Sequence, residues 1–196
     1  MSTRDRILDT ALQLFNEKGT APVTTNHIAE ALGISPGNLY YHFRNKEEII
    51  RALFERMFAL WDRVGELPPD RDPHLTDLEQ VVRDTYFLLW DYRFAYRELT
   101  ALLRRDEALR QRWLEIRARG VAGFHDLMQA FAAADVLRLP DDPAVLTRLA
   151  DICWLISEFW LPSLEISGEP VDAGHMERGI ELMLQVLEPF IVKQPK

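Results

Sequence analysis

Apolar residues recur at three- and four-residue steps along nearly the whole chain, the spacing of helices that each bury one face. In the first segment Ile7, Leu8, Ala11, Leu12, Leu14 and Phe15 carry the pattern, with Arg4, Asp5, Asp9, Gln13 and Glu17 between them. Ser2 or Thr3 can cap its start, and Gly19 can end it in a left-handed conformation. A second helix is expected after Thr24 or Thr25 and runs through Ile28, Ala29 and Leu32 to Gly33. A third, short helix follows Ser35, with Pro36 in the first turn, where its missing N–H costs nothing. It carries Leu39, Tyr40 and Phe43. Asn45 then caps a fourth helix from Lys46, striped by Ile49, Ile50, Leu53, Met57, Leu60 and Trp61.

The stretch from Gly65 to Pro73, GELPPDRDP, concentrates proline and charge and reads as a connection. Beyond it the helical period returns at 75–93, 95–104, 106–136, 143–166 and 173–192. No alternating segment long enough for a strand is present, and no internal repeat. The fold class is therefore all-α with about nine helices. A three-helix N-terminal head over 1–46 precedes a larger helical body over 47–196.

Composition narrows the setting. Hydrophobic residues make up 47% of the 196, enough for a real core. The lone Cys153 excludes an intrachain disulfide and any multi-cysteine metal site, and it reads as a packed small hydrophobe in a reducing compartment. No apolar run approaches the roughly 20 residues that span a bilayer, so a cytoplasmic protein without a membrane partner is expected. Net charge is −8, yet it is unevenly spread. Residues 1–46 hold five Lys/Arg and four Asp/Glu, a net +1, while residues 47–196 hold 18 and 27, a net −9. An anionic partner would have to meet the head.

The segment 24–43, TTNHIAEALGISPGNLYYHF, explains why. Two helices meeting steeply through a short turn need a small residue at the crossing and one tolerant of positive φ in the turn. Ala29 and Gly33 supply these. Ile28, Leu32, Ile34, Leu39 and Phe43 hold the pair together, and Leu12 and Phe15 of the first helix close the third side. This is a helix-turn-helix pattern, whose second helix enters the major groove. Pro36, Gly37 and Asn38 open that helix with small groups that allow close approach. Tyr40, Tyr41 and His42 add donors, although Tyr40 could be half core and His42 could brace its helix end. Thr24 and Thr25 can turn hydroxyl and amide toward a phosphate. Lys46 places a cation at a helix start, where an anion would be needed to compensate it.

These residues resemble the DNA-binding domain of the TetR family of bacterial transcriptional regulators. The likeness covers roughly residues 4–60, in the order T-T-x-x-I-A-x-A-x-G-I-S-x-G-x-L-Y-Y-H-F-x-x-K-E-E. It implies that Thr24, Thr25, Asn26, Pro36, Gly37, Asn38, Tyr40, Tyr41, His42 and Lys46 face double-stranded DNA. A two-fold homodimer on a palindromic operator is implied as well. Asn26 stands where some members carry Arg, which favours adenine over guanine there. The family's C-terminal domains hold a small-molecule pocket between helices 4 and 7 and dimerise through the last two helices.

In the body, aromatic residues recur at helical spacing, a pattern of core packing that also leaves voids between helices. Trp61, Phe87, Trp90, Trp113, Arg117 and Phe124 form the expected effector-lining set. The cavity is expected to be aromatic and free of acids, suited to a lipid, an aromatic compound or a drug. The run RRDEALRQRWLEIRARG reads as a salt-bridged surface helix, with Arg117 alternatively an anchor for an anionic effector. Helices 143–166 and 173–192 are unusually apolar, either buried in the monomer or forming an intersubunit bundle, the latter preferred. No phosphate-cradling, zinc-protease or nucleophile-elbow motif occurs, so no catalytic residue, metal site or cofactor is expected. The reading is a ligand-responsive repressor, homodimeric on a palindromic operator, with an apolar or aromatic effector. The alternative is a helical small-molecule-binding protein without DNA function.

Overall fold

The computed structural model describes residues 1–192, and among these all regular structure is helical apart from one isolated antiparallel bridge, Leu137 to Ile191. The head comprises α1 (Thr3–Lys18), α2 (Thr25–Leu32) and α3 (Pro36–His42). The body follows as α4 (Lys46–Trp61), α5 (Leu75–Asp91), α6 (Arg93–Arg97), α7 (Leu99–Arg105), α8 (Glu107–Ala133), α9 (Pro143–Ile166) and α10 (Ala173–Leu187), then a 3-10 turn at Glu188–Phe190. The last described residues are pinned beside the end of α8, where Arg138 N donates to Phe190 O at 2.7 Å and Val192 N to Val136 O at 2.9 Å.

Head boundaries follow local chemistry. Ser2 caps α1 in a reciprocal box with Asp5. Thr24 caps α2, and Gly33 ends it at φ 69°, in the left-handed region that a side chain disfavours. Ser35 Oγ accepts from Asn38 N at 3.2 Å to open α3, and Asn45 opens α4. Ile7, Ala11 and Phe15 of α1, Ile28 of α2, Leu39 of α3 and Ile49 and Leu53 of α4 are fully buried together.

The body departs from expectation at one place. A single helix is expected over 95–104, but the chain breaks at Glu98 into α6 and α7. The head grips both ends of α6, the shorter piece. At the end of α1, Asn16 Nδ2 donates to Asp91 O at 2.7 Å, and its Oδ1 accepts from Phe94 N at 3.0 Å. One carboxamide thus satisfies both the last turn of α5 and the first turn of α6. Glu98, in turn, accepts from the Thr20 amide at 2.7 Å and from the Thr20 hydroxyl. Gly19, at φ 77°, lets this happen: a Cβ there would lie 2.9 Å from Glu98 Oε1. Helix count thus rises to ten among the described residues, and the head, some 80 positions away in sequence, contacts both the α5–α6 junction and the Glu98 side chain.

Asn16 is 8% exposed, so truncating it strands two backbone groups away from water. Asn16→Ala is expected to destabilise the protein by about 2–3 kcal/mol. Urea unfolding at fixed protein concentration measures this, and a change below about 0.5 kcal/mol would contradict the capping role.

Candidate nucleic-acid interface and inter-helix cavity

In α3 the inward residue Leu39 and the following Phe43 are buried, and everything else turns out. Pro36, Gly37, Asn38 and Tyr40 are exposed, and Tyr41 is 87% exposed. An aromatic ring this open has little packing role in the subunit. Tyr41 meets His42 edge-on at 5.1 Å, and the half-exposed Tyr40 hydroxyl lies 3.2 Å from Thr25 Oγ1. Asn26 and Thr24 are exposed on the neighbouring helix start and Thr25 is half-buried. The Tyr40–Thr25 contact thus brings α3 beside the start of α2, where most of the residues singled out in the sequence are exposed.

Two of them are partly occupied by the fold itself. The Thr24 amide, expected to face a phosphate, donates instead to His27 Nδ1 at 3.3 Å, while the Thr24 hydroxyl oxygen accepts from His27 N. A T-x-x-H capping box is the signal that would have found His27. Lys46 is the larger surprise. Its ammonium donates to Thr20 O at 2.6 Å, Val23 O at 2.9 Å and Ala21 O at 3.4 Å. Backbone carbonyls, not an anion, compensate its charge at the start of α4, and they tie that helix to the α1–α2 loop.

A cavity of about 420 Å3 opens in the body among α4, α5, α6, α8, α9 and α10. Trp61, Trp113, Arg117 and Phe124 line it. Phe87 and Trp90 do not, which corrects that part of the set. α5 turns Leu78, Val81, Val82 and Thr85 to the cavity. At 3.6 residues per turn, Phe87 and Trp90 lie about 200° and 140° around the helix from Thr85. Phe87 is accordingly 59% exposed, and Trp90 is half-buried under the Arg93 guanidinium, 4.7 Å from its ring.

Residue type alone missed several wall residues. Tyr96 of α6 accepts from Trp61 Nε1 at 2.9 Å, joining α6 to α4 across the cavity. Burial pushes its phenol well above the ordinary range, so it stays neutral. Cys153 is buried in the same wall, its thiol pushed up to about 12 by burial, which fits the small-hydrophobe reading. Most consequential is Glu158, a lone acid in the apolar run of α9. Arg117 Nε donates to its Oε1 at 3.1 Å, and burial raises its carboxyl above the usual range while Arg117 opposes the rise. The cavity is thus not free of acids, and Arg117 already has a carboxylate partner within the chain.

Of the other arginines of α8, Arg110 pairs with Glu107 of its own helix, while Arg112 and Arg119 reach α4 and its C-terminal end. Arg112 forks onto Glu55 at 2.8 and 3.2 Å, Arg119 reaches Asp62 at 3.0 Å, and Arg51 of α4 reaches Asp106 at 2.8 Å. The apolar α9 serves two surfaces. Leu149, Trp160, Leu161 and Leu164 are buried in the subunit, while Ile152, Leu155, Phe159 and Ile166 are exposed at 45%, 59%, 48% and 87%. In α10, Met176, Ile180, Met183 and Leu187 bury inward and Leu182 remains exposed.

Comparison with known proteins places these features. Residues 7–53 match the family model described as bacterial regulatory proteins, tetR family, and residues 56–196 match one described as bacterial transcriptional repressor. The solved structure of a TetR-family transcriptional regulator from Marinobacter aquaeolei VT8 is 36% identical, covering 98% of this chain and 92% of that one at a TM-score of 0.86. The biofilm operon icaADBC HTH-type negative transcriptional regulator IcaR of Staphylococcus epidermidis is 44% identical over 55 residues, 28% of this chain and 30% of its own length. The tetracycline repressor protein class C of Escherichia coli is 38% identical over 69 residues, 35% of this chain and 31% of its own. The matched stretches thus span about three-tenths of those two relatives.

Proposed function

The chain belongs to the TetR family of bacterial transcriptional regulators, and on that footing we propose that it is a DNA-binding repressor whose hold on a palindromic operator is loosened by a small organic ligand. One observation carries the reading: α3 buries Leu39 and presents Pro36, Gly37, Asn38 and Tyr41 to solvent, in a head whose net charge is +1 where the remainder of the chain carries −9. In the major groove Pro36 and Gly37 admit the backbone close to base edges. The Asn38 carboxamide matches the adenine N6 and N7 pair. Tyr40, Tyr41, His42, Thr24, Thr25 and Asn26 contact the backbone of the duplex and set the register. Lys46 acts at one remove, holding the 20–23 loop from which α2 starts.

Two heads are needed for a palindrome, and the exposed stripe Ile152, Leu155, Phe159 and Ile166 on α9 supplies the apolar surface for pairing two copies. Recognition helices would then meet successive major grooves about 34–36 Å apart. The ligand enters the cavity among α4, α5, α8 and α9. Tyr96 stands on α6 two residues from Phe94 and two from Glu98, the groups that hold Asn16 and Thr20. An occupant that displaces Tyr96 or Trp61 therefore changes how the head is seated. A ligand preferring the altered seating weakens DNA binding by its differential affinity, typically about 1–3 kcal/mol. Such a regulator works in the cytoplasm.

Binding to a cognate palindrome should weaken steeply as salt rises, since phosphate contacts release counterions. Asn38→Ala should relax base preference at one position per half-site, with a cost of about 1–3 kcal/mol. Fluorescence anisotropy over a salt series measures both, and a flat salt dependence would overturn the proposal. Replacing Leu155 and Phe159 together by Glu should give a folded monomer with sharply reduced palindrome affinity. Analytical ultracentrifugation checks this, and a variant that remains dimeric would refute the α9 interface.

A further inference from the structure

The cavity holds a carboxylate on a wall that is largely aromatic and aliphatic. Glu158 enters from α9 with its side chain 13% exposed. Its Oε1 accepts from Arg117 Nε, and no second donor reaches the group among the described residues. An ionised carboxylate offers about four acceptor positions, so most of its capacity is unspent. Arg117 lies farther out, 38% exposed. At the mouth Arg119 is held by Asp62, and the neighbouring Glu66 has no ion-pair partner among the described residues. Three carboxylates thus face the space against two guanidiniums, each guanidinium already paired. The same walls carry the ring systems of Trp61, Trp113, Trp154, Phe124 and Tyr96.

These facts rank ligands by charge. A hydrocarbon filling the cavity would strip water from Glu158 and offer nothing in return, which is costly for a carboxylate. An anion would meet surplus negative charge with no free cation to receive it. A cation replaces the lost water by charge-assisted N–H donors, and the ring faces add cation–π attraction. We propose that the cavity selects a flat organic cation, an aromatic amine or amidine in its protonated form, with its N–H groups on Glu158 and its ring among the tryptophans. This rests on the reading of the cavity as the effector site.

Three probes of one shape separate the alternatives: pyrenemethylamine, pyrenemethanol and pyrenecarboxylate, titrated into the full chain at about pH 8, where an alkylamine stays protonated, and followed by pyrene fluorescence anisotropy. The amine should bind about tenfold tighter than the alcohol, with the carboxylate weakest. Glu158→Gln should abolish the amine's advantage and improve the carboxylate, while the alcohol is unchanged. Should that variant fail to fold, Arg117→Met decides. Removing the competing guanidinium should widen the amine's lead, and a narrowed lead overturns the proposal. Equal or tighter binding of alcohol or carboxylate to the unaltered protein overturns the cation assignment and leaves the effector cavity standing. No binding of any probe overturns both. An amine that binds as expected yet leaves operator affinity unchanged upholds the cation site and refutes the effector role.

Discussion

Two short polar residues, Asn16 in the last turn of α1 and Thr20 just beyond it, tie the head to the rest of the molecule. Asn16 caps α5 and α6 from outside, and Thr20 engages Glu98 through its amide and hydroxyl and Lys46 through its carbonyl. Every one of these bonds crosses between the head and the rest of the molecule. None resembles the apolar packing that holds either part together. Apolar contacts slide at small cost, whereas a buried hydrogen bond made to a helix end tolerates little displacement. Head and body are therefore joined by a joint with a defined seat.

In the proposed mechanism, that joint would give the cavity its leverage. α6 is only five residues long, and it carries a wall residue, Tyr96, between the two positions that grip α1. α4 carries Trp61 at its cavity end and Lys46 at its head end. A displacement at the Trp61–Tyr96 bond thus has two rigid routes to the head, one through each helix. Arg112 and Arg119 of α8 restrain α4 along the way, but these pairs are largely exposed and individually weak. Along its length α4 is packed through Ile49, Leu53, Phe54, Met57 and Phe58, all buried, so it links the head to the cavity as one rigid element.

The head was legible in the sequence because its determinants are local. Ser35, Pro36, Gly33 and Asn45 each act within a turn of where they stand, and the apolar spacing of α1 through α4 fixed the buried faces. The body was legible as helices but less so as a site. Phe87 and Trp90 look equivalent to Trp113 as aromatic residues, and only the rotational phase of α5 sets them outside. The break at Glu98 leaves no local pattern, and the contact of Thr20 with its side chain comes from 78 positions away. Lys46 was read against its own helix, while its partners are carbonyls of a loop folded against it. Glu158 did leave a trace, an acid interrupting an apolar helix, but its partner Arg117 lies on another helix of the body.

The central claim is that the exposed end of α3 reads a duplex. Selection of the full chain against random double-stranded oligonucleotides tests it most directly. The account predicts enrichment of a palindrome whose half-sites lie about one helical turn apart, with the enriched bases blurred when Asn38 is replaced. Recovery of a pool no different from the input, at low salt and with folded protein, would contradict it.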